Sequence, residues 1–446
     1  MKETICAIST PLGRGAISIV RLSGSRALEI MKDIFKSKSL DYQNIMPRYL
    51  YFGSLTLKNN LKEHCLAVYF KAPFSYTGED MVEFQIHGGS YLSQSVLELL
   101  LNSGARLAEN GEFTKRAFEN GKISLDMAES IIDEINAESE GELKAALSLA
   151  DGKLYKEITL LQNEITQMIA QIEATLDYPE EDFESSTKEL IFNKIEEIQS
   201  KLNQLFEDGK NAKFIKNGIN VALVGAPNVG KSSTLNALLG ENRAIVTEIE
   251  GTTRDTLTES LIYKGIKINL IDTAGIRDSD DKVEKLGIEK SKTSIDKADV
   301  VLFLLDGSKK MDMQDRQIKQ LLNSKDNVIT IINKNDLPRK LESQTDEILI
   351  SALNEANINE IKEKIFTLVK AEKIDYSHTL VTSTRQLEII EDGMKLCNQI
   401  LDNKNESMDI IAMLIKKLWN SLGKITGQCE NENIIDLIFT KFCLGK

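Results

Sequence analysis

Residues Ile219-Asn220-Val221-Ala222-Leu223-Val224-Gly225-Ala226-Pro227-Asn228-Val229-Gly230-Lys231-Ser232-Ser233-Thr234-Leu235 read as a short apolar strand, a glycine-bounded loop and the opening of a helix. The loop, Gly225 to Ser232, satisfies G-x-x-x-x-G-K-[ST]. That pattern has a mechanical basis: glycines let backbone N–H groups converge on phosphates, the lysine reaches the β and γ oxygens, and the hydroxyl serves Mg²⁺. A helix starting at the loop adds its positive end to the same site. Alone the loop says only that a nucleotide binds.

The stretches downstream narrow the base and the reaction. Asp272-Thr273-Ala274-Gly275 closes an apolar run from Ile268 to Ile271, where a carboxylate can hold the Mg²⁺ shell and a glycine N–H can sense the γ-phosphate. Asn333-Lys334-Asn335-Asp336 ends the run Val328 to Ile332, and a carboxylate at Asp336 suits the N1–H and 2-amino donors of guanine, a pair adenine lacks. Ser351-Ala352-Leu353 follows Ile348 to Ile350 and completes a base pocket, while Gly251-Thr252-Thr253-Arg254-Asp255 offers hydroxyls to Mg²⁺ on a switch loop. Each short motif is an ordinary strand-end turn when taken singly; in this order they specify GTP. Ile276 stands where small regulatory GTPases carry a water-orienting glutamine, so another group must place the water. Asn228, the acidic run Asp278 to Glu284, and the arginines Arg254 and Arg277 are the candidates.

The chain's 446 residues are too many for one core, so two or three domains are expected. No apolar run approaches the roughly 18 residues that span a bilayer, and Pro11, Gly13 and Arg14 interrupt the first apolar stretch, so no membrane association or export is indicated and a cytoplasmic location is expected. The five cysteines, Cys6, Cys65, Cys397, Cys429 and Cys443, form no C-x-x-C pair, and the histidines do not cluster; reduced thiols and no transition-metal site are expected. A net charge of −13 argues against a broadly basic nucleic-acid surface, leaving a local patch or a second subunit for any such partner.

Short alternating strands at Ala16 to Leu22, Leu66 to Phe70 and Met81 to His87 predict an α+β domain over residues 1 to 118. In the last of these, Glu83 shares a face with Gln85 and His87, opposite Val82, Phe84 and Ile86, and so points out of the core. From Asp126 to Asp177 apolar residues recur at three- and four-residue steps without proline, predicting long helices. Pro179 and the acidic run Glu180 to Asp182 mark a break, and Ile191 to Leu205 resume the pattern. Strand and helix alternate over residues 216 to 375, implying a mostly parallel sheet, and helical spacing returns over 376 to 446. One helical domain with residues 119 to 215 as its first part, interrupted by an inserted nucleotide domain, is the economical reading; two separate bundles give the same pattern.

Four stretches carry a resemblance: L-G-R-G-A-I-S-I-V-R-L-S-G at 12 to 24, F-S-Y-T-G-E-D-M-V-E-F at 74 to 84, G-E-F-T-K-R-A-F-E-N-G-K at 111 to 122, and the ending F-C-L-G-K at 442 to 446. Together with the nucleotide motifs they resemble the MnmE (TrmE) family of tRNA uridine modification GTPases. The resemblance implies a multidomain α/β and α+β chain: an N-terminal tetrahydrofolate-binding domain, a discontinuous helical domain and an inserted Ras-like P-loop GTPase domain. It implies a homodimer that works with the flavoprotein MnmG (GidA), which brings FAD, to build an aminomethyl or carboxymethylaminomethyl group on the wobble uridine of certain tRNAs. The one-carbon donor would be 5-formyl- or 5,10-methylenetetrahydrofolate.

Carried onto this chain, the resemblance places K⁺ on Asn228, Thr247, Ile249 and Thr252, and Mg²⁺ on Ser232 and Thr253. GTP or GDP would also contact Val229, Gly230, Lys231, Ser233, Glu248, Glu250, Gly251, Asp272, Thr273, Ala274, Gly275, Asn333, Lys334, Asp336, Ser351, Ala352 and Leu353. A fixed K⁺ would supply the charge an arginine finger supplies elsewhere. Glu284 matches the family's water-orienting glutamate, and Cys443 is a catalytic candidate by analogy. Arg21, Glu83, Lys122 and Lys446 fall on the folate positions, where a carboxylate suits the donor edge of a pterin and cations suit the glutamate tail. Without the resemblance, Glu83 reads as a plain solvent-facing strand residue and Cys443 as a structural thiol. Cys443 at four residues from the end is a poor prenylation signal, since Gly445 is not aliphatic. Two other readings share the nucleotide motifs: a switch for RNA or ribosome assembly without covalent chemistry, and a one-carbon transferase with a regulatory nucleotide domain.

Overall fold

The structure, a computed structural model, describes residues 3–38, 40–177, 181–240, 259–272, 295–341, 346–374 and 379–446. The chain divides into two compact units, one made of Met1–Ile132, Ala150–Ala174 and Ile415–Lys446, the other of Asp133–Leu149 and Thr175–Leu414. Among the described residues no helix is long and apolar enough to cross a membrane.

The first unit is built on a seven-stranded sheet. Its strands are β1 (Ile5–Ile8), β2 (Ile17–Ser23), β3 (Phe35–Lys36), β4 (Leu50–Thr56), β5 (Lys62–Phe70), β6 (Met81–His87) and β7 (Arg106–Leu107), in the order β3-β4-β5-β6-β2-β1-β7. Only the β1–β7 pair is parallel. Val20, Leu22, Val82, Phe84, Ile86 and Ala67 form a buried core with helices α1 (Ala27–Ile34) and α2 (Ser90–Asn102), through Ile30, Met31, Val96 and Leu100. Residues one step along the strands turn to the other face by the period of two, and there Arg21, Glu83 and Gln85 stay half-buried while Ile17 and His87 are exposed. Toward β1 that face is covered by Ile5, Ala7, Ala108 and Phe113, which pack together with Tyr76. Phe113 belongs to helix α3 (Glu112–Glu119).

The run expected as long helices is three: α4 (Leu125–Asn136), α5 (Glu140–Ala150) and α6 (Lys153–Asp177). Local chemistry breaks it. Ser139 Oγ accepts from the Glu142 N–H at 3.2 Å and the Glu142 carboxylate accepts from the Glu138 N–H at 2.7 Å, a capping arrangement that starts a new helix. Gly152 sits at φ +68°, the left-handed conformation that ends helices.

In the second unit, helix α7 (Glu181–Asn217) leads into a six-stranded sheet of β8 (Ile219–Val224), β9 (Glu259–Tyr263), β10 (Ile266–Asp272), β11 (Val300–Asp306), β12 (Val328–Asn333) and β13 (Ile348–Leu349). The order is β13-β12-β11-β8-β10-β9, and every pair except β9–β10 is parallel. β11 is buried along its whole length, with Val300, Leu302 and Leu304 in one core and Val301, Phe303 and Leu305 in another. Helix α8 (Lys231–Leu239) supplies Leu235 and Leu238 to the first of these; α9 (Met313–Leu322) supplies Leu322 to the second. This is the doubly covered parallel sheet that the alternation of strand and helix predicts. Helix α10 (Ile358–Leu368) completes the first core with Ile361 and Ile365. Helix α11 (Thr384–Asp402) packs on α7, each presenting a buried apolar stripe: Ile195, Ile198 and Leu202 on one, Ile390, Cys397 and Ile400 on the other. The chain continues through α12 (Met408–Thr426) and α13 (Glu432–Phe439).

Candidate functional site

β8 lies between β10 and β11, so the chain reverses its direction of travel across the sheet at that strand, and the loop leaving its carboxyl end sits at a topological switch point. That loop is Gly225 to Lys231. Asn228 holds φ +62° and Gly230 φ +96°, two left-handed turns that fold the backbone around the helix start. A Cβ at Gly230 would run into the Asn333 side-chain amide, so glycine is required there by close approach as well as by φ. Lys231 Nζ donates to the Gly225 and Ala226 carbonyls, each at 2.9 Å, lying across the loop. Ser232 and Ser233 are exposed in the first turn of α8. Among the described residues that turn carries no acidic residue and no side-chain cap, so its positive end suits an anion.

The base-side stretches are tied to the phosphate loop through Asn333, which is buried. Its side-chain amide donates to the Val229 carbonyl at 2.9 Å, while its side-chain oxygen accepts from the Lys334 N–H at 2.8 Å and the Ala352 N–H at 3.0 Å. One side chain thus fixes three loops against each other. Lys334, at φ +65°, donates from Nζ to the Asn228 carbonyl at 2.9 Å and to Asp306 at 2.7 Å. Ser351 Oγ donates to Asp336 Oδ1 at 2.6 Å, orienting an exposed carboxylate. Leu353 is exposed.

Asp306 escaped the sequence reading. Burial pushes its carboxyl upward, but hydrogen bonds from Lys334 and Ser308 and the positive charge of Lys334 outweigh that and hold it at about 2. The signal was present: a carboxylate ending the wholly apolar run Val300 to Leu305. Asp272 ends β10 in the matching place. Thr247, Glu248, Ile249, Glu250, Gly251, Thr252, Thr253, Thr273, Ala274, Gly275 and Glu284 lie outside the described residues.

The predicted folate residues fall in the first unit. Arg21 and Glu83 are direct cross-strand partners on β2 and β6, and Arg21 Nε donates to Glu83 Oε1 at 2.8 Å. The guanidinium carbon lies 5.5 Å from the centre of the Tyr76 ring and 5.6 Å from that of Phe113, within cation–π range of both. Its Nη1 donates to the Gly445 carbonyl at 3.4 Å. The Lys446 carbonyl accepts from the Phe113 N–H at 3.1 Å, and Leu444 bridges to Asn110, so the tail is seated beside the pair. Cys443 is an exposed free thiol. Lys122 Nζ donates to the Pro73 carbonyl at 3.0 Å, against the loop that carries Tyr76. Sequence reading placed Arg21 and Glu83 in one site but missed Tyr76 and Phe113, which act through ring faces that no short pattern encodes.

A phosphate loop at the switch point of a mostly parallel sheet, with base-recognition loops knotted to it, defines a P-loop GTPase. The family model described as the MnmE helical domain matches residues 125–443, and that of the GTP-binding protein TrmE N-terminus matches residues 4–122. A tRNA modification GTPase MnmE of Clostridioides difficile (strain 630) is 40% identical over 458 residues, covering 100% of this chain and 99% of the relative. One of Lactococcus lactis subsp. lactis (strain IL1403) is 40% identical over 451 residues, covering 100% and 98%. The G domain of the T. maritima FeoB iron transporter is similar at 26% identity over 34% of this chain and 98% of that chain, with a TM-score of 0.24. The chain belongs to the MnmE family.

Proposed function

We propose that this protein is a potassium-activated GTPase that works with a flavoprotein of the MnmG kind to install the aminomethyl or carboxymethylaminomethyl group on the wobble uridine of certain tRNAs. In this reading it is a cytoplasmic homodimer in three parts, residues 1–118 for folate, 119–215 with 376–446 for the helical domain, and 216–375 for the nucleotide. The named relatives are tRNA modification GTPases, which supports tRNA as the substrate here.

The residues present fit the groups required. Ser232 offers an exposed hydroxyl, a hard oxygen ligand suited to Mg²⁺, at a helix start where phosphate would sit. Asn228 exposes its side chain on a left-handed turn of the same loop, fitting K⁺ with Thr247, Ile249 and Thr252. Bound there, the two cations supply positive charge where negative charge develops as the γ-phosphate leaves. Lys231 holds the β and γ oxygens, Asp336 selects guanine under the orientation set by Ser351, and Glu284 orients the water. Arg21 and Glu83 present a cation and a carboxylate side by side, the complement of a pterin's donor edge and a polyanionic tail, with Lys122 and Lys446 for the latter. Folate supplies a one-carbon unit and the partner's FAD the redox step; Cys443 stands near the tail carbonyl that meets Arg21.

The observation that carries the reading over an assembly switch is the cradle around Arg21. An ion pair clamped between two aromatic rings and a seated tail is machinery that nucleotide exchange does not need. The test is mass spectrometry of nucleosides from total tRNA of cells lacking the gene, with and without its restoration. A 5-substituted wobble uridine that disappears and returns supports the assignment; unchanged nucleosides would overturn it in favour of the assembly switch.

A further inference from the structure

We propose that Gly445 is a positioning residue for the Arg21–Glu83 site: only glycine at this place lets the tail close on β1 and hold Arg21 through its carbonyl. The inference rests on the folate reading for its ligand, and on geometry for the rest. Gly445 has φ +92°, a backbone conformation that side chains other than glycine's seldom adopt. A Cβ there would also fall well inside contact distance of the Ile8 carbonyl oxygen and 3.0 Å from the Ser9 Cα. Those obstacles are backbone atoms of β1 and its exit. β1 is buried and paired with β2 as far as Ile8, and the Ser9 N–H donates to the Ile19 carbonyl at 2.8 Å, so this backbone is held in place.

Close approach at Gly445 therefore sets how closely the tail seats against the end of β1. Three contacts depend on that seating: the Gly445 carbonyl on Arg21 Nη1, the Lys446 carbonyl on the Phe113 N–H, and the bridge from Leu444 to Asn110. The second of these acts on the same Phe113 whose ring faces the Arg21 guanidinium. A raised tail thus loosens Arg21 twice, by removing an acceptor and by freeing the start of α3 that carries one wall of its clamp. The Glu83 carboxylate, held at 2.8 Å by Arg21 Nε, loses its fixed partner in turn. Cys443 and Lys446 move with the tail, so one glycine governs the placement of four of the residues assigned to this site.

The experiment compares the full-length parent with Gly445→Ala, Gly445→Asn and Gly152→Ala. Asparagine tolerates positive φ, so it separates backbone strain from the missing room. Gly152 sits at φ +68° with only the Met127 sulfur at 3.5 Å from a Cβ, so its replacement imposes strain without close backbone contact. Equilibrium binding of 5-formyltetrahydrofolate and amide hydrogen exchange over residues 110–113 and 442–446 are measured for each. Both Gly445 variants are expected to weaken binding at least tenfold and to speed exchange at Phe113 and the tail at least tenfold, while Gly152→Ala changes neither. GTP hydrolysis, whose residues lie in the other unit, serves as the folding control and stays at the parent's rate. Unchanged exchange in Gly445→Ala overturns the inference, as does parental folate affinity in a variant whose tail exchanges fast. A parent that binds no folate refutes the folate reading instead, and the exchange data still decide whether Gly445 seats the tail.

Discussion

Single side chains set the chemistry in both units, and burial decides which can act. Asp306 is the plainest case, because its carboxyl is held at about 2 by Lys334 and Ser308 against the opposing effect of burial. A carboxylate lowered on folding stabilises the fold above its unfolded value near 4, and that contribution is lost as pH falls toward 2. The shift corresponds to at most about 2.5 kcal/mol. Urea unfolding of the parent and Asp306→Asn should therefore show a constant gap above about pH 5 that narrows below about pH 4; a gap independent of pH would refute the pairing. Thiols sort by the same logic. Burial pushes Cys6, Cys65 and Cys397 up to about 12, whereas Cys443 is exposed. Peptide mapping after brief iodoacetamide treatment of the folded protein should find Cys443 alkylated and those three untouched, and labelling of Cys397 without denaturant would contradict the packing. Glu284, assigned to the attacking water, has a sharper expectation: Glu284→Ala slows GTP hydrolysis by about 100-fold or more while the affinity for a non-hydrolysable GTP analogue is kept. Near-normal turnover would remove it from the mechanism.

Elements show how far a sequence can be read and where it falls silent. β6 and β8 run over Met81–His87 and Ile219–Val224, the bounds their apolar patterns indicate, because alternation in one and a short apolar run interrupted at Asn220 in the other leave no competing period. Periodicity gave no warning that the helices after Asp126 would divide, since Leu147 and Leu154 keep helical spacing across the turn at Gly152. Caps and a single left-handed glycine made that decision locally. Nor does spacing alone separate inner from outer faces: Leu143, Leu147, Ile410 and Met413 lie on helical patterns yet are exposed. The guanine-nucleotide motifs were legible because each is local and ordered. The Arg21–Glu83 contact became visible only with strand register, which brings together residues 62 apart in the chain. Where the stripe is buried, its cost is predictable. Leu202 on α7 is fully buried in the unit that also holds α11, so Leu202→Ala should lower unfolding free energy by about 3 kcal/mol in a denaturant titration. A loss below about 1 kcal/mol would mean that the α7–α11 seam is not a tight core.

At the scale of the whole molecule, the nucleotide loop and the Arg21 cradle belong to different compact units, each with its own sheet and buried core. Binding in one therefore does not require intact chemistry in the other, although the proposed tRNA modification requires both. Lys231→Ala removes the cation that lies across the phosphate loop, and should abolish tight GTP binding while leaving 5-formyltetrahydrofolate affinity within about twofold of the parent. Glu83→Ala leaves Arg21 without its carboxylate and should reduce folate affinity at least about tenfold, with GTP hydrolysis unchanged. In cells whose only copy carries either variant, the 5-substituted wobble uridine should be missing from total tRNA, because in the proposed function the one-carbon donor and the GTP-driven step serve a single product. Nucleoside mass spectrometry distinguishes this from two independent activities on one chain. If Glu83→Ala cells keep the modified uridine although the purified protein no longer binds folate, the cradle serves some other ligand; if Lys231→Ala cells keep it, hydrolysis is not coupled to the modification.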